Sequence, residues 1–171
     1  MGRMTSRWCI VEDTAKVVAF DPKQLKIVRR MPIGVAKVPT GLGYDPKTNH
    51  LFIGCREKPL MVVMDAATGK LVTTFPIGPG VDWADFDAKH EVAMTSSGGD
   101  GSMGMFRQKG GKYVDLGAFK TEPGAKTFAF DAKTGRIFLP TADIVSTPAS
   151  GEKKGGRSIP AGTFRVLVAG R

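Results

Sequence analysis

His50 and His90 are the only histidines of the chain and Cys9 and Cys55 its only cysteines, so any imidazole or thiolate chemistry must come from these four residues. Neither histidine has a carboxylate or cysteine at metal-ligand spacing, and neither has a serine or cysteine partner that the sequence places beside it. The cysteines form no C-x-x-C pair. Each lies in a short apolar run, which reads as a small buried hydrophobe, with a disulfide between them left open. The glycine-rich stretch Ser97 to Gly104 lacks the terminal Gly-Lys-Ser/Thr of a phosphate loop and does not lead into a helix, so a hairpin turn is expected there. No cofactor and no metal site are expected. The polar residues better suited to holding a ligand are Arg56, Lys58, Asp82, Trp83, Asp100, Lys126 and Arg157. What they share is their place among the elements that carry them.

Those elements repeat. Asp45-Pro46-Lys47-Thr48-Asn49-His50-Leu51-Phe52-Ile53 returns as Asp131-Ala132-Lys133-Thr134-Gly135-Arg136-Ile137-Phe138-Leu139, with a worn copy beginning at Asp87. The phrase Met31-Pro32-Ile33-Gly34 likewise returns as Phe75-Pro76-Ile77-Gly78. A period of about 40 to 45 residues built from short strands marks propeller blades. No window carries an apolar stripe at helical spacing, and the β-branched and aromatic runs are bounded by turn residues, so no long helix is expected.

In the best repeat the expected strands are Leu42 to Asp45, His50 to Cys55, Leu60 to Asp65 and Lys70 to Pro76. The next unit gives Trp83 to Asp87, Glu91 to Ser96, Met103 to Arg107 and Lys112 to Phe119. The last gives Thr127 to Asp131 and Arg136 to Thr141, then an insertion over 143–162, then Phe164 to Ala169. An earlier unit supplies Trp8 to Val11, Ala15 to Asp21 and Lys26 to Met31. The expected fold is thus all-β: one domain over 1–171, an incomplete β-propeller of about three and a half four-stranded blades, or half of a seven-bladed ring. Its blade parts are 7–34, 41–78, 83–120 and 127–171. An arc of that kind bares a blade face at each end, so association with itself or with a missing propeller half is expected.

Leu51-Phe52-Ile53-Gly54-Cys55-Arg56, Val62-Val63-Met64-Asp65-Ala66-Ala67-Thr68-Gly69-Lys70, Pro123-Gly124-Ala125-Lys126-Thr127 and Gly135-Arg136-Ile137-Phe138-Leu139-Pro140 resemble the bacterial YVTN-repeat propellers, the YncE-like family. The resemblance runs from about Trp8 to Arg171, over the C-terminal half of such proteins, with Phe164-Arg165-Val166-Leu167-Val168 similar to their last strand. It implies a recognition scaffold without a shared catalytic motif, of a family usually exported to the periplasm. Met1 to Arg7 holds no apolar run of signal-peptide length, and no run approaches membrane-spanning length, so neither export nor membrane insertion is expected from these residues.

Because strands alternate in direction, turns sort onto two rims. Asp45, Asp87 and Asp131, with Lys47, Lys89 and Lys133, recur on the first, where they read as turn-forming residues. The second rim carries the irregular loops, which is where binding residues gather on a rigid scaffold. All seven residues named above belong to it. Trp83 is open between facing a ligand and packing between blades. Within the insertion, Ser150 to Arg157 is polar and glycine-rich, and a solvated loop or a basic flap is expected.

Twenty-five Lys and Arg against 16 Asp and Glu leave a net charge of +9, spread along the chain. Such a field sets solubility and encounter rates without naming a partner. The preferred reading is a non-catalytic binding or assembly scaffold recognising a small molecule or protein through the second rim. The alternative is single-stranded nucleic acid or another polyanion held by Lys126, Lys153, Lys154 and Arg157, with Trp83 or Phe106 as stacking surfaces. A lactonase or redox-type enzyme stands third and would need a cluster of metal ligands.

Overall fold

The computed structural model describes residues 7–148 and 156–170. Among these every regular element is a strand: β1 (Arg7–Val11), β2 (Lys16–Asp21), β3 (Lys26–Pro32), β4 (Pro39–Asp45), β5 (His50–Cys55), β6 (Leu60–Asp65), β7 (Leu71–Pro76), β8 (Val81–Asp87), β9 (Val92–Ser97), β10 (Ser102–Lys109), β11 (Lys112–Lys120), β12 (Ala129–Asp131), β13 (Arg136–Thr141), β14 (Val145–Thr147), β15 (Gly156–Ser158) and β16 (Arg165–Ala169). They form four antiparallel sheets in chain order, β1-β2-β3, β4-β5-β6-β7, β8-β9-β10-β11 and β12-β13-β16, and a separate hairpin β14-β15.

The four sheets pack face to face in succession, because the middle ones are apolar on both sides. Along β5, Leu51, Ile53 and Cys55 join Val17 and Met31 of the first sheet in one core, while Phe52 turns the other way, toward Phe106 and Tyr113 of the third sheet. Along β9, Ala93 belongs to that same core, and Val92 and Met94 face Ile137 and Leu139 of the fourth sheet. A strand alternates its side chains between two faces, and here both faces are interior. Each middle sheet is thus covered by its neighbours, and the stacking is propeller-like.

The first strands of adjacent sheets converge closely. A Cβ built on Gly41 would stand 2.4 Å from the Ala84 nitrogen, and one on Gly43 would stand 2.9 Å from the Asp85 carbonyl carbon. Glycine at both positions lets β4 and β8 meet backbone to backbone. The outer sheets have no such cover on their far sides. Val11 and Ile27 are exposed on the first sheet, as are Val166 and Val168 on the last.

One turn is used repeatedly. Asp45 Oδ1 accepts the Lys47 amide at 2.8 Å and its other oxygen accepts the Thr48 hydroxyl at 2.7 Å. Asp87 and Asp131 do the same work with Lys89 and Lys133, and Asp21 and Asp65 repeat it with Lys23 and Thr68. Four residues after each aspartate comes a positive φ, at Leu25, Asn49, Gly69, Glu91 and Gly135. The recurring aspartates are turn formers, as their spacing implies. The Thr134 hydroxyl and the Lys133 amide hold the Asp131 carboxyl below its ordinary range.

Three expectations are corrected here. The insertion is not loop throughout: its flanks pair as β14-β15, with Ser146 opposite Arg157. Cys9 is exposed on the uncovered face of the first sheet, whereas Cys55 is buried, and both are free thiols. Burial pushes the Cys55 thiol up to about 11. Phe106 is 1% exposed, in the core between the second and third sheets with its ring 5.0 Å from that of Phe75, so it offers no surface on which a base could stack.

Candidate functional site

The second rim begins at a floor of glycines. The Gly98 amide donates to the Gly80 carbonyl at 3.1 Å, the Gly99 amide to the Pro79 carbonyl at 3.0 Å, and the Gly124 amide to the Gly98 carbonyl at 2.8 Å. These contacts stitch the loop before β8, the β9-β10 turn and the loop before β12 into one surface. Side chains are excluded from it. A Cβ on Gly98 would stand 2.6 Å from Lys126 Cβ, and Gly80 and Gly124 adopt φ of +70° and +89°. The amides point at neighbouring carbonyls, so this floor is a structural seam rather than an anion-binding nest.

Charged residues from three sheets stand around that floor. Arg56, just after β5, donates from Nε to the Val81 carbonyl at 3.2 Å and from Nη2 to Asp82 Oδ1. Lys126 approaches the other Asp82 oxygen, Nζ to Oδ2 at 3.1 Å. One carboxylate therefore holds two cations. The Asp82 side chain is largely buried, which makes it the fixed member of the group. Arg157, on β15, lines the same cleft as Arg56 and Lys126.

The inserted segment supplies the remaining wall. Arg165 clamps it at both ends, with Nε 2.8 Å from Glu122 Oε2 and Nη1 2.8 Å from Asp143 Oδ1 and 2.9 Å from the Thr163 carbonyl. The hydrogen-bonded acids raise the Arg165 pKa. Ile144, Ile159 and Phe164 face the cleft, and the last two are 67% and 69% exposed. The cleft is open to solvent along one side and holds a space of about 590 Å³, within the range that accommodates a small organic ligand.

Of the seven expected site residues, the structure brings Arg56, Asp82, Lys126 and Arg157 together. It leaves three apart. Lys58 is exposed beyond the cleft lining. Trp83 is 44% exposed on β8, also outside it. Asp100 is exposed and accepts the Ser102 hydroxyl at 2.7 Å. Lys153 and Lys154 lie outside the described residues. The apolar members Ile144, Ile159 and Phe164 were not singled out from the sequence. Their signal was present as large apolar residues on either side of the polar stretch Ser150 to Arg157.

The histidines serve other ends. His50 Nδ1 is 2.8 Å from the Tyr113 hydroxyl, a tie between the second and third sheets, and His90 Nδ1 is 2.5 Å from Asp87 Oδ2 within its own turn. Among the described residues, no three His, Cys, Asp or Glu side chains are grouped so as to hold a metal ion. No helix among them is long and apolar enough to cross a membrane.

No protein-family model matches this sequence, and no curated protein matches it. Solved structures do. In fold, this chain is similar to part of hydrazine synthase from Kuenenia stuttgartiensis. The TM-score is 0.70 over 95% of the present chain, at 13% identity, so the likeness is one of fold alone. The chain spans about half of that protein's length, 46% of it.

Proposed function

We propose that this chain is an open arc of a β-propeller of the YVTN-repeat, YncE-like kind, about three and a half blades in extent, and that it works as a recognition scaffold without chemistry of its own. The ligand is held at the second rim, in the cleft between the glycine floor and the inserted segment. The observation that carries this reading is the meeting of Arg56, Asp82, Lys126 and Arg157, from separate sheets and the insertion, around one cleft of ligand size. Variable loops converging on a rigid scaffold are a common way to build a site.

Ala142 lines the cleft beside Thr141, and tryptophan there fills it. Thermal unfolding is followed for the unaltered chain and Ala142→Trp against a panel of small organic acids, nucleotides and sugars. Stabilisation by a panel member that vanishes in Ala142→Trp supports the reading. Stabilisation that persists in the variant, or none across the panel, overturns it.

Single-stranded nucleic acid is the rival reading, carried by the net charge of +9 and the exposed Trp83. Affinity for an oligonucleotide that collapses between low and physiological salt, together with indifference to Ala142→Trp, favours it.

The uncovered faces of the first and last sheets, with Val11, Ile27, Val166 and Val168 exposed, favour association with a second copy or with another propeller part. Sedimentation giving a monomer at micromolar concentration excludes self-association.

A further inference from the structure

This inference rests on the rim cleft being a ligand site, and it concerns the chemistry of what the cleft holds. We propose that the occupant is an amphipathic monocarboxylate, with its anionic head among Arg56, Lys126 and Arg157 and its apolar body along Ile144, Ile159 and Phe164.

The head follows from a count of charge and donors. Three cations and one carboxylate, Asp82, stand in or against the cleft, an excess of two positive charges. Both Asp82 oxygens are engaged. Arg56 spends Nε on the Val81 carbonyl and Nη2 on Asp82, and its Nη1 has no protein partner among the described residues. Its guanidinium is thus fixed on one side and open on another. Lys126 has three ammonium donors, of which Asp82 takes one. Arg157 makes no ion pair among the described residues. A compact carboxylate satisfies such a set of side-chain donors. The Gly98, Gly99 and Gly124 amides are spent on backbone carbonyls, so these glycines do not offer the cradle of free N–H groups that phosphate sites use.

The body follows from the facing wall. Ile144, Ile159 and Phe164 line one cleft, and all three are exposed. Single exposed apolar residues are ordinary, but a contiguous group marks a binding surface. The two walls together select against simpler ligands. A small polar anion leaves the apolar wall wet, and a neutral hydrophobe buries part of the cationic wall without a partner.

Titration calorimetry on the full chain with decanoate, decan-1-ol and acetate tests the assignment. Decanoate is expected to bind at least about ten-fold more tightly than either of the others, and Arg157→Gln and Phe164→Ser are each expected to weaken it by about ten-fold. Both residues are exposed, so neither change threatens folding. Decan-1-ol binding as tightly as decanoate, acetate doing so, or decanoate heats unchanged in both variants overturns the proposal. Decanoate binding that survives Ala142→Trp overturns the cleft itself. Silence from all three probes, with a polar compound stabilising the chain in a manner lost in Ala142→Trp, keeps the cleft and overturns only the amphipathic class.

Discussion

Lys126 Nζ stands 3.1 Å from Asp82 Oδ2, so the loop before the fourth sheet is held to the first strand of the third by the same carboxylate that fixes Arg56 at the end of β5. Asp82→Asn keeps the shape and removes the charge. Because the Lys126 and Arg56 side chains are 60% and 40% exposed, water and salt screen most of the attraction. The expected cost is about 0.5 to 1 kcal/mol in urea unfolding at low salt, shrinking as salt is added.

Gly41 carries a sharper constraint. A methyl group there meets the backbone of Ala84 at 2.4 Å, and backbone cannot rotate away as a side chain can. Gly41→Ala is expected to cost about 3 kcal/mol or more, or to prevent soluble expression, whereas Gly110→Ala, in open space but at φ +59°, costs only about 1 kcal/mol from its turn conformation. Paired denaturation curves check the contrast.

The repeated turns predict a gain as well as losses. Leu25 occupies the positive-φ position of the first turn at +53° while 86% exposed, so it bears conformational strain and little packing. Leu25→Gly is expected to raise stability by about 0.5 kcal/mol, the relief of strain exceeding the added flexibility of the unfolded chain. Asp45→Ala works in reverse. It removes the acceptor of the Lys47 amide and the Thr48 hydroxyl at a buried position and is expected to cost about 1 to 2 kcal/mol. Thermal unfolding of the two variants reads both signs.

Burial raises the Asp85 carboxyl above its ordinary range, an effect that its hydrogen bond from the Phe86 amide only partly opposes. A carboxyl whose folded pKa exceeds its unfolded one penalises the fold above that folded pKa, and the penalty fades as pH falls through it. Asp85→Asn retains an acceptor for the Phe86 amide and is expected to unfold at higher urea than the parent at pH 7. The difference narrows toward pH 4, and a gap that stays constant with pH would show that Asp85 is not the source.

Much of the architecture was legible because the repeat combines two local signals, a strand-length apolar run and an aspartate turn. The strands His50–Cys55, Leu60–Asp65 and Arg136–Thr141 fall where the sequence puts them, since their ends are set by turn chemistry within a few residues. The site was legible only as a list of polar loop residues. Nothing local distinguishes Lys58, which remains outside the cleft, from Lys126, which lines it.

Strand order and turn type are written in the primary sequence, because each depends on neighbours within one repeat. Which face of a strand is covered, and by what, depends instead on how the sheets stack. Phe106 and Cys9 both lie in apolar runs, yet Phe106 faces an adjoining sheet and is buried, while Cys9 lies on the open side of the first sheet and is exposed. The cleft arose in the same way. Gly80 and Gly98 meet through the pairing of β8 with β9, Gly124 reaches them from the loop leading into the fourth sheet, and the stacking of sheets carries Arg56, Asp82, Lys126 and Arg157, up to about a hundred residues apart in the chain, to one place.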